Sequence, residues 1–408
     1  MSIAAAATSI LTVNSGSSSL KFALFDPAAT LHTTHTGRIE RIGTPDAVFS
    51  VQSDEPGQSF TRPVVAGDHA AAVTALMAWI AAHEQDIGLA AIGHRVVHGG
   101  PRHHAPQRID AALLADLRAL VPLDPAHLPD AISTMAAFGE RFAHLPQFAC
   151  FDTAFHHDLP RVARLLPIPR RYETQGLRRY GFHGLSYTFL MEELRRQEGA
   201  ESAHGRVILA HLGNGASLAA VHQGRPVDTS MGLTPASGVP MATRAGDLDP
   251  GLAWYLARTE GLDAQQFNDL VNTRSGLLGM SETSGDLREL LRRETGDVRA
   301  AEAVAVFCYQ VRKSIGALAA ALGGVDHLVF SGGIGENLPE ARTRICNGLA
   351  FLGITLDDVP NAAGAGRIST RTSRVKVHVI RTNEELVIAR AVCRLLGLDA
   401  TPPSPAPP

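Results

Sequence analysis

Two similar glycine-containing turns, far apart in the chain, most restrict how these 408 residues can fold. The pair Ser19-Leu20 after the first turn recurs as Ser217-Leu218 after the second, an offset of 198 residues (217 minus 19). Apolar and β-branched residues predict a short strand on each side of each turn, at Ile10–Val13, Leu20–Asp26, Val207–His211 and Ser217–His222. Such an offset is too long for a solenoid repeat and is typical of a duplicated domain, although two glycine hairpins can also look alike by chance.

Strand and helix patterns alternate along the rest of the chain. In the first part they predict helices at Ala70–His83, Ala111–Leu120 and Asp130–Phe142, and strands at Ala90–Val97 and Gln147–Asp152. In the second part they predict strands at Arg225–Thr229, His327–Phe330 and Val375–Ile380, a helical region Leu252–Leu322 broken by Ser275–Gly285, a turn at Ser331–Asn337, and helices from Pro339 and over Glu384–Leu396. This alternation predicts an α/β architecture, and the proline-rich Thr401–Pro408 is expected to be a disordered tail.

Composition excludes several classes of function. The formal net charge of −3 and the sequence pI near 6.7 argue against a protein that mainly binds nucleic acid or anionic membranes. No uncharged apolar stretch reaches 18 residues, so no membrane span is expected, and the first residues lack the basic start of a secretory signal. Four cysteines without a Cys-x-x-Cys pair indicate a reducing compartment, and we expect a cytoplasmic protein.

The glycine turns are candidates for phosphate binding. Gly16 and its neighbouring serines allow backbone N–H groups to converge on an anion, and Lys21 supplies a positive charge nearby, although a solvated hairpin tip has the same composition. Leu212–Ala216 and Ser331–Asn337 each follow a predicted strand and can contact a nucleotide, or can equally be a plain hairpin and a packing corner. The chain contains no P-loop, no dinucleotide-binding glycine motif and no Gly-x-Ser-x-Gly elbow, which removes three enzyme classes.

Isolated charged residues provide candidates for the chemistry. Arg95 and Asp152 lie at predicted strand ends, Arg244 lies in a loop, and His183 lies between two glycines. Two arginines can hold a carboxylate and neutralise a phosphoryl group in transfer, but only three of the 37 basic residues are lysines, so a given arginine can also simply pair with an acid. The histidine can equally be structural.

The start of the last predicted helix carries a possible metal ligand. Glu384 in its first turn can serve the helix dipole, or it can bind Mg²⁺ together with an amide oxygen such as that of Asn14. Magnesium keeps several waters and takes few protein ligands, which is compatible with so small a set.

Taken together and in this order, the motifs resemble the acetate kinase family. Asn14–Phe22 (NSGSSSLKF) and Asp228–Asp247 (DTSMGLTPASGVPMATRAGD) are similar to its two signatures. Further similar segments are His94–Gly100, Phe151–His156, Arg179–Gly184, His211–Gly215 and Gly333–Asn337, and the likeness extends from Thr12 to Leu396.

The resemblance implies the duplicated two-domain α/β fold of actin, Hsp70 and sugar kinases, with the nucleotide in the cleft between the domains. Domain I would comprise residues 1–153 plus 383–400 with the first phosphate hairpin, and domain II residues 154–382 with the second hairpin and the adenosine site. The resemblance also implies a homodimer, and it implies ATP-dependent, reversible formation of acetyl phosphate and ADP from acetate.

The resemblance also assigns roles to matching positions. Asp152, His183 and Arg244 would be catalytic, Arg95 would bind the acyl substrate, and Asn14 and Glu384 would bind Mg²⁺ or Mn²⁺. The apolar end of the acyl group would lie among Val97, Leu123, Phe182 and Pro235. ATP or ADP would contact Lys21, His211, Leu212, Gly213, Asn214, Gly215, Asp286, Leu287, Arg288, Gly333, Ile334, Gly335, Glu336 and Asn337.

A carboxylate acceptor is already ionised at neutral pH, so it needs positioning and charge neutralisation more than a general base. Asp152 is therefore better pictured as orienting Arg95 or Mg²⁺ than as removing a proton. The sequence departs from the family at Ala236-Ser237, Ala242 and Ala245, and Asp124–His127 replaces a stretch that usually contains a histidine near the acyl group. Propionate or butyrate kinase therefore remains an alternative. A non-catalytic nucleotide-binding module would keep the hairpins and lose Arg95, Arg244 and His183, all of which are present.

Overall fold

The computed structural model describes residues 9–16, 19–29, 31–83, 87–364 and 366–398. The chain divides into two compact units: unit 1 is Met1–Ala154 with Asn383–Pro408, and unit 2 is Phe155–Thr382. The predicted tail Thr401–Pro408 lies outside the described residues.

Unit 1 is built on a mixed sheet whose eight described strands follow the order β5-β4-β3-β2-β1-β6-β8-β7. The central strands β1, β6 and β8 run parallel, and the remaining neighbours are antiparallel. Their bounds are β1 Ser9–Ser15, β2 Ser19–Asp26, β3 His32–Glu40, β4 Val48–Ser53, β5 Phe60–Pro63, β6 Leu89–Val96, β7 Gln107–Arg108 and β8 Gln147–Phe151.

Unit 2 repeats this topology with six described strands in the order β11-β10-β9-β12-β14-β13. An antiparallel β11-β10-β9 meander corresponds to β3-β2-β1, the parallel pair β12 and β14 corresponds to β6 and β8, and an antiparallel edge strand closes each sheet. The bounds are β9 Arg206–Leu212, β10 Ala216–His222, β11 Arg225–Thr229, β12 His327–Ser331, β13 Gly366–Arg367 and β14 Lys376–Val379. Because the β1–β2 and β9–β10 pairs occupy the same place in both sheets, the likeness of the two sequence segments reflects a duplicated fold, and the predicted duplicated α/β class is confirmed.

The helices of the described residues pack around these sheets. They are α1 His69–Ala82, α2 Ala111–Ala119, α3 Leu128–Arg141, α4 Arg161–Arg164, α5 Gly184–Glu198, α6 Ala200–Ala203, α7 Gly251–Thr259, α8 Ala264–Thr273, α9 Gly276–Ser281, α10 Leu287–Arg293, α11 Val298–Leu322, α12 Gly332–Asn337, α13 Pro339–Cys346, α14 Asp358–Ala363 and α15 Glu384–Leu396. Short 3-10 turns occur at Pro27–Ala29, Val121–Leu123, Ala154–His156, Arg170–Gln175 and Ala350–Leu352. None of the helices in the described part of the chain is long and apolar enough to cross a membrane.

The last helix belongs to the first unit because its apolar face packs on β1 and β6. Asn383 caps α15 by accepting a hydrogen bond from the backbone N–H of Leu386 at 2.9 Å. A Cβ at Gly93 in β6 would lie 2.4 Å from the side chain of Ile388, so only glycine lets this helix approach the strand so closely. The close packing places the first turn of α15 beside the ends of the central strands.

Most predicted strands and helices are present within a few residues of their predicted bounds, and two assignments are wrong. The predicted turn Ser331–Asn337 is a strand end followed by α12, and the predicted glycine-rich break Ser275–Gly285 contains α9. Each segment bends sharply at a glycine with positive φ, Gly332 at 75° and Gly276 at 60°. A helix begins at each of these glycines. Glycine content alone therefore indicated a longer irregular segment than the structure has.

Candidate active site

In unit 1 the predicted site residues meet at the carboxyl ends of the three parallel strands. Asn14 lies near the end of β1, Arg95 near the end of β6, and Asp152 directly after β8. Parallel strands end at the same edge of a sheet, and in open α/β sheets ligands bind at that edge. Glu384, in the first turn of α15, completes the set.

These side chains form one continuous hydrogen-bonded network. Arg95 donates from Nε and Nη2 to Oδ2 of Asp152, at 3.0 and 2.5 Å, and from Nη1 to Oδ1 of Asn14 at 2.9 Å. The amide of Asn14 in turn donates to Oε2 of Glu384 at 3.0 Å and to Oε1 of Glu385 at 3.2 Å. Sequence reasoning missed Glu385, although its position beside Glu384 in the same helical turn was a usable signal.

The network is buried and carries more acid than base. Asp152 is fully buried, and Asn14 and Glu384 are less than one-tenth exposed. Burial by itself lowers the pKa of Arg95, but the neighbouring charges of Asp152, Glu384 and Glu385 outweigh it and raise that pKa above its ordinary value. Arg95 therefore stays charged at every physiological pH, and three carboxylates face one guanidinium.

This surplus of negative charge and the type of donor fit a hard divalent cation. Asn14 and Glu384 offer amide and carboxylate oxygens, the ligands that Mg²⁺ takes in proteins. Within the described residues no group of three or more His, Cys, Asp or Glu side chains is placed to hold a metal ion. An ion here would thus depend on few protein ligands, as Mg²⁺ commonly does.

Lys21 shares a sheet face with Asn14, because the two residues lie directly opposite each other in the β1–β2 pair. Its side chain is exposed and makes no ion pair with any other described residue. Together with Arg38 and Glu385 it lines a cavity of about 360 Å³ on that face. The side chain of Lys21 therefore lies beside the network but is not hydrogen-bonded to it.

The segment that departs from the family sits in the same unit. Asp124 is buried, and its Oδ1 lies 2.8 Å from Nδ1 of His127. Leu123 ends the preceding 3-10 turn and is partly exposed, whereas Val97, just after β6, is buried. A histidine is thus present in this segment, three residues after the first changed position.

In unit 2 two predicted histidines stack on each other. His183 has a left-handed backbone (φ 58°) at the residue before α5, and its ring lies 4.4 Å from that of His211. Nδ1 of His183 is 2.8 Å from the Ser217 hydroxyl, and Nδ1 of His211 is 2.8 Å from the Ser186 hydroxyl. The hydroxyl contacts fix the orientation of both rings.

The β9–β10 turn lies against this pair. Gly213 donates its N–H to the carbonyl oxygen of Gly215 at 2.9 Å, which closes the turn. A Cβ at Gly215 would lie 3.2 Å from Nε2 of His183 and 3.7 Å from Nη1 of Arg244, and a Cβ at Gly213 would lie 3.7 Å from the backbone N of Gly333. Within unit 2 the structure thus brings together both histidines, Arg244 and the two predicted glycine segments Leu212–Ala216 and Ser331–Asn337.

Arg244 is held by its own loop. Its Nη1 donates to the carbonyl oxygen of Pro235 at 3.1 Å, and its carbonyl oxygen accepts from the N–H of Met241 at 3.0 Å. Phe182 is buried and its carbonyl oxygen lies 3.0 Å from Nε2 of His156. Two of the four residues predicted for the acyl pocket, Phe182 and Pro235, therefore belong to unit 2, and Val97 and Leu123 belong to unit 1.

The predicted segment Asp286–Arg288 contains a local ion pair. Asp286 caps α10 and accepts from both the backbone N–H and the guanidinium of Arg288, at 2.8 and 2.9 Å. The hydrogen bonds from Arg288 lower the pKa of Asp286, and the Leu287 side chain is buried. Among the described residues no hydrogen bond links this pair to the glycine turns.

The segment after β12 is fixed by Glu336. Its Oε1 accepts from the backbone N–H of Gly332 at 2.9 Å and from the N–H of Thr382 at 3.2 Å. Gly332 has a φ of 75°, and a Cβ there would lie 2.6 Å from the carbonyl oxygen of Leu212. The turn of β9 and the start of α12 can approach each other so closely only with glycine at this position.

We expect Gly332→Ala to lower the melting temperature and Gly333→Ala to leave it nearly unchanged. The left-handed backbone alone costs alanine about 1–2 kcal/mol, and the contact with Leu212 adds to it. Gly333 has no neighbouring atom within 4 Å of a built Cβ and no positive φ, so it is a matched control one residue away. Thermal unfolding followed by circular dichroism measures both, and equal melting temperatures for the two variants would contradict the argument.

The comparisons with known proteins decide the family. The model of the acetokinase family matches residues 9–390. The chain belongs to the acetokinase family. The resemblance found in its sequence motifs is thereby confirmed.

Members of the acetokinase family resemble the chain over nearly its full length. An acetate kinase of Rhodopseudomonas palustris is 44% identical over 95% of this chain and 98% of its own length. A propionate kinase of Citrobacter rodentium is 43% identical over 96% of this chain and 98% of its own. The crystal structure of a propionate kinase from Francisella tularensis superposes with a TM-score of 0.87 at 35% identity, covering 94% of this chain and 98% of that one.

Proposed function

We propose that the protein is an acetate kinase, which transfers the γ-phosphoryl group of ATP to acetate and so forms acetyl phosphate and ADP reversibly. Membership of the acetokinase family over residues 9–390 supports the reaction class. The observation that carries the proposal is the buried network in which Asp152 and Asn14 hold Arg95 at the carboxyl edge of the sheet.

The reaction needs little proton transfer. A carboxylate oxygen of acetate attacks the γ-phosphorus as the bond from that phosphorus to the β,γ-bridging oxygen breaks, and ADP leaves with the electron pair. Because acetate is ionised at neutral pH, no proton has to be removed from it. The protein must therefore position two anions and offset their charge.

Arg95 can bind the acetate carboxylate while it remains anchored. A guanidinium has five N–H groups. Three of them are used on Asp152 and Asn14, which leaves one N–H on each of Nη1 and Nη2 for a carboxylate. Asp152 then acts by orienting Arg95, and it removes no proton.

For the metal we propose that Asn14 and Glu384 hold Mg²⁺ or Mn²⁺, supported by their oxygen donors and the surplus negative charge around them. Such an ion supplies charge neutralisation for the phosphates of the nucleotide. Lys21, on the same sheet face, would contact the phosphates as a point charge.

In unit 2 we propose that His183 and Arg244 stabilise the transferring phosphoryl group. Support comes from the shared surroundings of the two side chains, which both lie within 4 Å of a Cβ built at Gly215. ATP would contact His211–Gly215, Asp286–Arg288 and Gly333–Asn337. The methyl group of acetate would rest against the apolar set Val97, Leu123, Phe182 and Pro235.

An acyl-phosphate assay tests the proposal. Purified protein with ATP, magnesium and acetate should produce acetyl hydroxamate when hydroxylamine is present. ADP formation without hydroxamate would contradict it, and nucleotide binding without either product would favour a non-catalytic nucleotide-binding module.

Propionate is the second candidate acceptor. The identity to the Citrobacter rodentium propionate kinase nearly equals that to the acetate kinase, and the Asp124–His127 segment departs from the family pattern. A comparison of kcat/KM for acetate, propionate and butyrate ranks the three, and a higher value for propionate or butyrate would replace acetate in the proposal.

We expect Lys21→Arg to raise the KM for ATP severalfold with little change in the KM for acetate, because a planar guanidinium does not replace a compact ammonium at a phosphate. Lys313→Arg is the matched control, since Lys313 is exposed on α11 in unit 2 and lies over the ring of Tyr309. Steady-state kinetics with ATP varied at saturating acetate measures the effect. If ATP kinetics are unchanged in Lys21→Arg, the proposed phosphate contact is wrong.

We also propose a homodimer and a cytoplasmic location. The helices α7 and α8 contain no buried residue, and Trp254 and Tyr255 on α7 are 68% and 57% exposed. Two large aromatic side chains on one exposed helix suit burial against a second copy of the chain. The four cysteines are buried and free of disulfides, which suits a reducing compartment.

A further inference from the structure

One arginine outside the motifs, Arg342 in α13, is fully buried. Its Nη1 donates to the carbonyl oxygens of Gly335 and Glu336, at 2.8 and 3.1 Å, and its Nε donates to Oδ1 of Asn361 at 2.8 Å. Nη2 donates to the carbonyl oxygen of Asn361. A single guanidinium thus joins the carboxyl half of α12 to α14.

Every one of these acceptors is uncharged. Burial lowers the pKa of Arg342, and no carboxylate of the described residues pairs with it. Burying a cation without an acid is costly, and an apolar side chain of similar volume would stabilise a core at least as well. Stability alone therefore does not account for an arginine at this position.

What the guanidinium provides is a fixed backbone. The last carbonyl oxygens of a helix have no partner within the helix, and Arg342 satisfies two of them in α12. From the other side, the carboxylate of Glu336 holds the backbone N–H of Gly332 and of Thr382. The two residues together leave Gly333–Asn337 little freedom to shift.

We infer that Arg342 is a positioning residue for the nucleotide. It sets the geometry of Gly333–Asn337 and does not touch the nucleotide itself. The inference rests on the proposed function, in which that segment contacts ATP and ADP. It predicts a selective defect: affinity for the nucleotide falls, whereas the acyl substrate, whose proposed ligand Arg95 lies in unit 1, is bound as before.

Titration calorimetry with ADP and steady-state kinetics with acetate varied test this on Arg342→Lys of the full chain. Lysine keeps the charge but cannot span both carbonyl oxygens and Asn361, so we expect a Kd for ADP about tenfold higher and a KM for acetate within about twofold of wild type. Added methylguanidinium should not change ADP binding in wild type, and with Arg342→Ala it should recover part of the lost affinity.

Arg312→Lys is the matched control. Arg312 also donates to backbone carbonyl oxygens at a helix end, those of Arg344 and Ile345 in α13, which lie outside the proposed nucleotide segment. Its ADP affinity should equal that of wild type. Unchanged ADP affinity in a folded Arg342→Lys, or equal losses in both variants, would overturn the inference.

If Arg342→Lys does not fold, Asn361→Ala tests the inference in its place. This variant removes the side-chain acceptor of Arg342 Nε and leaves α12 unchanged. A selective loss of ADP affinity supports the inference, and wild-type affinity overturns it. Wild-type protein that binds ADP but forms no acyl phosphate would contradict the proposed function alone, since the ADP measurement needs no acceptor.

Discussion

Asp152→Asn should lower kcat by about a hundredfold to a thousandfold, the range found when one preorganised electrostatic contact is removed from an active site. Asp152 is fully buried, and its Oδ2 accepts two hydrogen bonds from Arg95. Asparagine keeps the shape but removes one of the three charges that together outweigh the desolvation of the guanidinium. In the wild type, Oε2 of Glu384 lies 3.7 Å from Nε of Arg95. In the variant we expect the guanidinium to shift toward Glu384 and away from the acceptor carboxylate.

The measurement is the rate of acetyl hydroxamate formation at saturating ATP and acetate, with the melting temperature recorded alongside. Glu173→Gln is the control, because it removes the charge from another arginine–carboxylate pair, that of Glu173 with Arg161, which is exposed and belongs to unit 2. We expect wild-type turnover from it. A kcat near wild type in Asp152→Asn would remove Asp152 from the mechanism.

The fold was predictable from sequence to the extent that hydrophobic pattern and glycine placement determine it. The β1–β2 and β9–β10 hairpins follow from apolar runs around glycine turns, and the structure places both in the same position of equivalent sheets. Strands β3 to β5 were missed, and for β3, His32–Glu40, the reason is that it is largely polar and only Ile39 in it is buried. Its pairing depends on partners in the sheet that the local pattern does not reveal.

The site was predictable as a set of residues but not as a set of contacts. Order along the chain does not show that Arg95 binds Asn14 as well as Asp152, because 81 residues separate the two partners of that bond. Glu385 and Arg342 were missed for the same reason. Neither stands in a glycine turn, and each acts through a partner, Asn14 in one case and backbone carbonyl oxygens in the other.

Arg244→Ala should lower kcat by about a thousandfold, the lower end of what an arginine at a transferring phosphoryl group contributes. Arg244 contacts its own loop at two points: the carbonyl oxygen of Pro235 accepts from Nη1, and the sulfur of Met241 lies 3.8 Å from the same nitrogen. Its guanidinium sits beside Gly215 with Nε2 of His183 in the same surroundings. A guanidinium in this position can stabilise the charge that develops on the transferring phosphoryl group, and alanine cannot.

The KM values decide between loss of catalysis and loss of binding. An interaction made only in the transition state lowers kcat and kcat/KM equally, so the KM for ATP and the KM for acetate should both stay within about twofold of wild type. Guanidinium ions at millimolar concentration should recover part of the rate in Arg244→Ala, because the cavity left by the side chain can admit the free cation. Arg225→Ala, at an exposed position of β11 in the same unit, should behave as wild type with or without guanidinium. If Arg244→Ala instead raised the KM for acetate and kept kcat, Arg244 would bind the acyl substrate, and the stabilising charge would have to come from His183.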